Sequence, residues 1–295
     1  MDSTYELAHE KDNRSSTLAT QFSVVLLWPA LLVAAPLAVH RFGWWTLAVS
    51  IPMGVYFVMW IGLLRHEVFH RNFSRLPSRK TFDFLSYLIF LDPRPYWLAH
   101  GPHHRYVHTT RDVILFCERY DDPKARKRAF VLEFILGNAA WEFATLKRFV
   151  RAGNVSRKDV LVALPKRLLV LVVTALLVTL IGTKSALAYF PFTTFAMAWA
   201  SSLAARHVQW VEHLGVVAEG SMVERSMLTR NLTNETLFGW VFNTLTCQEA
   251  WNHTYHHVAP ERPLSSIDKL DPETTHVVVD GRQYWKILTD HYRSL

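Results

Sequence analysis

Four long stretches without a charged side chain limit what this chain can fold into. Residues 21–39, 43–64 and 185–205 hold none over 19, 22 and 21 positions, and residues 168–183 hold none over 16. About 20 apolar residues cross a hydrocarbon layer as a helix, the form in which a lone segment satisfies its own backbone polar groups. The third stretch reaches that length if Lys166 and Arg167 extend their charged ends toward the headgroups. Buried helices of a soluble protein would give similar runs, but their length and pairing favour the membrane. The expected fold is all-α and integral to the membrane, with four transmembrane helices.

Basic residues orient these spans. Residues 65–167 hold 20 of the 32 Lys and Arg, whereas the short loops on the other side hold only Arg41 and Lys184. The positive-inside rule therefore places the N-terminal tail (1–20), residues 65–167 and residues 206–295 in the cytoplasm. The tail is polar and mixed in charge, and no small-residue cleavage site follows the first run, so that run reads as a retained span. A basic run such as KARKR, residues 124–128, beside a membrane fits anionic lipid or an acidic redox partner, and no nucleic-acid partner is expected.

Two further apolar segments are too interrupted to span. Residues 82–100 are broken by Asp92, Pro93 and Pro95, and read as a re-entrant or interfacial helix; residues 128–150 alternate charged and apolar positions as a helix lying on the membrane does. From Pro260 the chain reads as a short soluble cap with a turn at Asp280-Gly281. Cys117 and Cys247 form no C-x-x-C motif, which argues against a zinc ribbon, a rubredoxin-type iron site or a ferredoxin-type cluster. No Gly-rich phosphate loop marks a nucleotide cofactor.

The histidines are unevenly spread. His66-Glu67-Val68-Phe69-His70 matches the H-E-x-x-H motif of zinc proteases. HGPHH contributes His100, His103 and His104, HTYHH contributes His253, His256 and His257, and RHVQWVEH ends on His213. Residues at i, i+3 and i+4 share a helix face, so each group projects its imidazoles in one direction, as half of a metal shell. A zinc site uses three or four protein ligands, whereas this number of imidazoles suits two metals. Imidazole alone does not select among iron, copper, nickel and zinc. His108, one helical turn beyond His104, and His207, a turn and a half before His213, stand where they would orient a ligand. A zinc protease would use His66 and His70, Glu67 as base and Asp92 as third ligand, leaving seven clustered histidines without a role. A metal transporter would need polar ligands inside the spans, which are nearly free of them.

The order H-x3-H, H-x2-H-H, H-x2-H-H across four spans resembles the integral-membrane fatty acid desaturase and hydroxylase superfamily of non-haem di-iron enzymes. RHVQWVEH resembles their R-x-x-x-E-H-like segment, and NHTYHHVAPERP their H-x-x-H-H-x-x-P-x-x-P ending. The resemblance covers roughly residues 20–265. It implies two Fe ions held by His66, His70, His100, His103, His104, His213, His253, His256 and His257, with O2 as co-substrate. Glu67 stands where many relatives carry Asp, and Gln209 where one branch carries Asn; with Glu212, the resemblance implies that they lie behind the ligands and orient them.

The resemblance further implies an oxidoreductase acting on an unactivated C–H bond of an acyl chain, foremost a fatty acid desaturase. Hydroxylation to an alcohol and decarboxylation to a terminal alkene are alternative outcomes on the same scaffold. A separate electron donor of ferredoxin, rubredoxin or cytochrome type, with its reductase, is the implied partner, beside membrane lipid. The di-iron domain would occupy residues 21–265, its histidine boxes on a cytoplasmic helical cap, followed by a C-terminal cap at 266–295. Trp44, Trp45, Tyr56, Trp60, Phe195 and Trp199 are candidates for substrate-tunnel walls or interfacial anchors.

Overall fold

The computed structural model describes residues 3–71, 78–114, 122–182, 184–247, 253–258, 260 and 277–295, with only the backbone course for residues 3–22. In chain order the helices are α1 (Ser3–Phe42), α2 (Leu47–Phe69), α3 (Ser78–Leu88), α4 (Pro93–Tyr106), α5 (Pro123–Leu136), α6 (Asn138–Arg151), α7 (Arg157–Ile181), α8 (Lys184–Leu187), α9 (Phe190–His213), α10 (Met222–Ser226), α11 (Leu237–Leu245), α12 (His253–Val258) and α13 (Gly281–Ser294). A 3-10 turn (Trp44–Thr46) and two three-residue strands, β1 (Arg230–Leu232) and β2 (Val277–Val279), complete the described elements.

Among the described residues, three helical segments are long and apolar enough to cross a membrane: Ser23–Phe42, Trp44–Phe69 and Arg157–Ile181. The last is longer than the charge-free run inside it, because Ser156 caps its start by accepting the Asp159 N–H. Arg167 lies within this helix without reaching for headgroups. It pairs with Asp92 at 2.8 Å and Glu142 at 3.2 Å, so protein carboxylates compensate its charge. Lys166 lies 5.5 Å from the centre of the Tyr87 ring.

The expected span 185–205 differs. Residues Lys184–Leu187 form the separate α8, and α9 begins only at Phe190 and runs to His213. Thr193, Thr194, Ser201 and Ser202 make α9 less apolar than the other three, and the hydroxyls of Thr193 and Ser201 return to carbonyls one turn back. The helix packs closely on α2. A Cβ added at Gly54 would lie 2.9 Å from the Met197 side chain, the close approach that small residues permit between helices in lipid. Across α1, α2 and α3, Trp28, Leu32, Ile61, Leu64, Phe82 and Leu85 form a buried cluster. The Trp28 indole donates to the Leu88 carbonyl at 2.9 Å inside it.

Both interrupted segments resolve into helix pairs. Residues 82–100 are divided between α3 and α4 at Phe90, whose φ is 64°, and Asp92 caps α4 through the Arg94 N–H. Residues 128–150 are divided at Gly137, with φ 65°; a Cβ there would lie 2.2 Å from the Ser202 carbonyl oxygen, so only glycine fits. The Ser202 hydroxyl donates to Leu136 O at 2.7 Å and accepts from Ala139 N at 2.8 Å, fixing the corner against α9.

The all-α expectation is amended by a parallel pair in which Arg230, Asn231 and Leu232 face Val277, Val278 and Val279. Asp280-Gly281 is not a free turn: Asp280 and Gln283 form a capping box that starts α13. Tyr284 and Leu288 of α13 are buried with Val208, Trp210 and Val211 of α9, so the C-terminal segment shares a core with the rest of the chain. The boundary at 265/266 and Cys117 lie outside the described residues.

Candidate metal centre

Helix ends deliver the histidines to one place. His66 lies in the last turn of α2 and His70 caps it; His100, His103 and His104 lie on α4, His213 ends α9, and His253, His256 and His257 lie on α12. They form two groups, His66, His70, His100, His104 and His256 in one and His103, His213, His253 and His257 in the other. In each group one ligand atom per residue lies within 4.8 Å of every other.

The sequence triplets are therefore split. The i, i+4 pairs 66/70, 100/104 and 253/257 stay together, whereas His103 and His256 join the opposite group from their helix neighbours. Consecutive helical residues diverge by about 100° around the axis, so His103 and His104, or His256 and His257, cannot face the same point.

In the group of five, Nε2 atoms converge: His70 to His100 at 2.9 Å, His100 to His104 at 3.1 Å, and His104 to His256 at 3.1 Å. Tyr96 stacks on His100, with centroids 4.6 Å apart and planes 15° apart. The Arg65 guanidinium in turn covers Tyr96 at 4.4 Å. Glu67 is buried beside His66, its Oε1 3.8 Å from His66 Nδ1.

The group of four has polar supports. His103 Nδ1 lies 2.9 Å from Asp112 Oδ1, which fixes that proton and turns Nε2 inward. His108 Nδ1 lies 2.8 Å from the Arg225 carbonyl and must donate to it, so His108 Nε2 accepts from His213 Nδ1–H at 2.9 Å. His213 Nε2 is left with its lone pair, 3.6 Å from Glu212 Oε2. The other Glu212 oxygen lies 3.2 Å from His253 Nδ1.

These side chains fit a pair of metal ions. A metal–nitrogen bond of roughly 2.1 Å sets ligands at right angles about 3.0 Å apart, close to the spacing of the converging Nε2 atoms. His66 and His257 keep both ring nitrogens buried without a hydrogen-bond partner, and His213 keeps Nε2 so. Each such atom costs about 1–3 kcal/mol unless something else satisfies it. Burial, reinforced by neighbouring imidazoles, holds His70, His100, His104, His213, His253, His256 and His257 well below the ordinary histidine pKa. They are neutral at pH 7, the state a ligand needs.

Other sequence candidates lie elsewhere. His207 contacts the Tyr284 hydroxyl through Nδ1 and thereby ties α9 to α13. Gln209 accepts from Arg206 Nη1 at 2.5 Å, and Arg206 also pairs with buried Glu133. Asp92 is held by Arg94 and Arg167 and belongs to neither histidine group. Asp112 and Tyr96 were not among the sequence candidates. Asp112 follows His108 by four residues, but His108 has φ 58° and the intervening chain is a turn, so helical spacing gave no signal.

A cavity of about 340 Å³ is lined among others by Gly62 and Arg65 of α2, Tyr96 of α4, Glu142 of α6 and Gln209 of α9, and the Tyr96 ring on its wall is the one that stacks on His100. Burial pushes the Glu142 carboxyl up to about 7 against the pull of Arg167. Phe195 and Trp199 line a second, outer groove. Trp44 and Trp45, 53% and 67% exposed at the start of their span, stand as interfacial anchors do. Tyr56 and Trp60 pack on the α1–α3 core.

The sequence matches the family described as fatty acid desaturase over residues 42–287, a range that contains all nine histidines. Neither the curated proteins nor the solved structures include a match to the chain.

Proposed function

The chain belongs to the fatty acid desaturase family, and from this premise we propose that it is a membrane-bound, O2-dependent oxidoreductase that desaturates an acyl chain. The observation that carries this reading is the sorting of nine imidazoles into groups of five and four, with buried ring nitrogens that have no hydrogen-bond partner among the described residues. In it, His66, His70, His100, His104 and His256 hold one iron, and His103, His213, His253 and His257 hold the other. Bound iron supplies the reduction of O2 that couples removal of two hydrogens from the acyl chain to two electrons from a donor.

The chain's own residues bind and orient. Asp112 and His108 set the tautomers of His103 and His213 so that an Nε2 lone pair faces inward. Glu67 and Glu212 place carboxyl groups beside the ligands. The inner cavity shields the acyl chain from water and presents one carbon to the histidines, and sub-ångström placement there selects the outcome.

The histidines support four spans with α9 as the fourth. The span Trp44–Phe69 ends at them, α7 leads away, and His213 at the end of α9 is back among them, so α9 returns across the bilayer. Basic loops then set both termini and the metal centre, with its helical cap, in the cytoplasm. Electrons come from a separate ferredoxin, rubredoxin or cytochrome with its reductase, docking on that basic face.

The test is expression with a donor and reductase, a range of fatty acids, and mass spectrometry of products. Internal alkenes are expected, with two irons per chain. Alcohols would move the assignment to a hydroxylase, and terminal olefins one carbon shorter to a decarboxylase. One zinc per chain, with activity surviving His256→Ala, would favour hydrolysis instead.

A further inference from the structure

The outer groove lies between α5, α6 and α9 and measures about 850 Å³. Leu132, Leu136, Phe143, Phe195 and Trp199 make it apolar, and Phe143 and Phe195 are 70% and 68% exposed, as lipid-facing rings are. Three of its polar groups are already engaged: Glu133 with Arg206, the Ser202 hydroxyl with α5 and α6, and the Trp199 indole N–H with the Ile135 carbonyl. The remaining ones are three cations at the end of α6, Lys147, Arg148 and Arg151, all exposed. Among the described residues no carboxylate forms an ion pair with them.

The groove also continues inward. Ala139, Phe143, Ala198 and Ser202 line both it and the inner cavity, whose wall includes Tyr96, the ring stacked on His100. An apolar surface thus leads from the lipid face toward the metal centre, with a cluster of positive charge on its rim.

We propose that this groove receives a free long-chain fatty acid from the bilayer, its carboxylate on Lys147, Arg148 and Arg151 and its chain passing Ala198 into the inner cavity. The inference rests on the desaturase reading for what happens to the chain. At roughly 30 Å³ for each water-sized group, the groove holds on the order of thirty heavy atoms, room for one acyl chain and its carboxylate. With the head held on the rim, the centre attacks a carbon well inside the chain, at a fixed distance from the carboxylate.

The binding step is tested on the full-length protein by quenching of tryptophan fluorescence with a dibrominated stearic acid. Saturable quenching is expected, with its groove component absent in Trp199→Phe. The combined variant Lys147→Gln, Arg148→Gln, Arg151→Gln should bind about five- to tenfold more weakly, as for the loss of a few exposed charge pairs. Unchanged affinity in that variant, or equal quenching of Trp199 by a dibrominated phosphatidylcholine, overturns the proposal.

Turnover separates the two readings. Ala198→Phe should keep groove quenching and lose product, and a series of chain lengths should place the double bond at one position counted from the carboxylate. Product formation undiminished in Ala198→Phe would sink the groove as the route while the desaturase reading stands. Groove binding by a wild-type protein that oxidises no fatty acid with donor present would sink that reading and leave the site.

Discussion

The group of five histidines and the group of four draw on the same two helices, α4 and α12, yet sit in different surroundings. All four members of the smaller group are buried, and Asp112, His108 and Glu212 lie against its ring nitrogens. In the larger group His70 and His104 are only half-buried, and the Nδ1 atoms of His100, His104 and His256 are buried without a hydrogen-bond partner. Its orientation comes from ring contacts instead, with Tyr96 against His100 and Phe69 within 4.9 Å of the same ring. The smaller group thus has polar supports beside His103, His213 and His253, and the larger relies on one more imidazole and on aromatic packing.

Neighbouring residues on α12 test that division most severely. His256→Ala and His257→Ala should each lower metal content from two ions per chain to about one, and each should reduce turnover by more than about a hundredfold. Metal analysis of the purified variants checks this; loss of both ions from either would mean that the two groups bind as one unit. His103→Ala and His104→Ala should repeat the pattern from α4.

The polar supports come next in size. Asp112→Asn or His108→Phe should weaken metal binding at the group of four by about 10–100-fold and leave the other ion in place, seen by titration with a chelator. Equal weakening at both sites would remove the distinction between supported and packed ligands. Glu67→Gln, acting beside His66, should lower metal loading or rate several-fold without abolishing either. Complete loss of chemistry with both metals bound would instead return Glu67 to the role of a catalytic base.

The smallest effect is expected away from both groups. Tyr284→Phe removes the partner of His207 and should cost about 1 kcal/mol of stability by thermal unfolding, with metal content unchanged. Loss of metal in that variant would tie α13 to the site more closely than its contacts with α9 suggest.

Much of this arrangement was legible in the chain. The charge-free runs located the three helices that, among the described residues, are long and apolar enough to span, because a hydrocarbon solvent rejects unpaired charge over a whole helix length. The true length of α7 was hidden, since Arg167 is neutralised by Asp92 and Glu142 from distant segments. Gly137 and Phe90 gave no advance notice that the interfacial segments would each become two helices. The positive φ at both is set by contacts with α9 and with the α3–α4 turn, beyond the reach of local periodicity.

Spacing in the sequence marked the pairs 66/70, 100/104 and 253/257, since i, i+4 residues on a helix turn two rings the same way wherever the helix is placed, whereas His213 had no such partner. Only the tertiary structure decided how the set divides. His103 and His256 leave their own triplets because the crossing of α2, α4, α9 and α12 puts two separate points of convergence between the helices, and each ring faces the point nearest its side of the axis. The same crossing brought Asp112 and His108 behind the ligands and opened the cavity beside Arg65 and Gln209. None of these contacts joins residues within one helical turn of each other along a common helix, so the physics of a single helix could not have specified them.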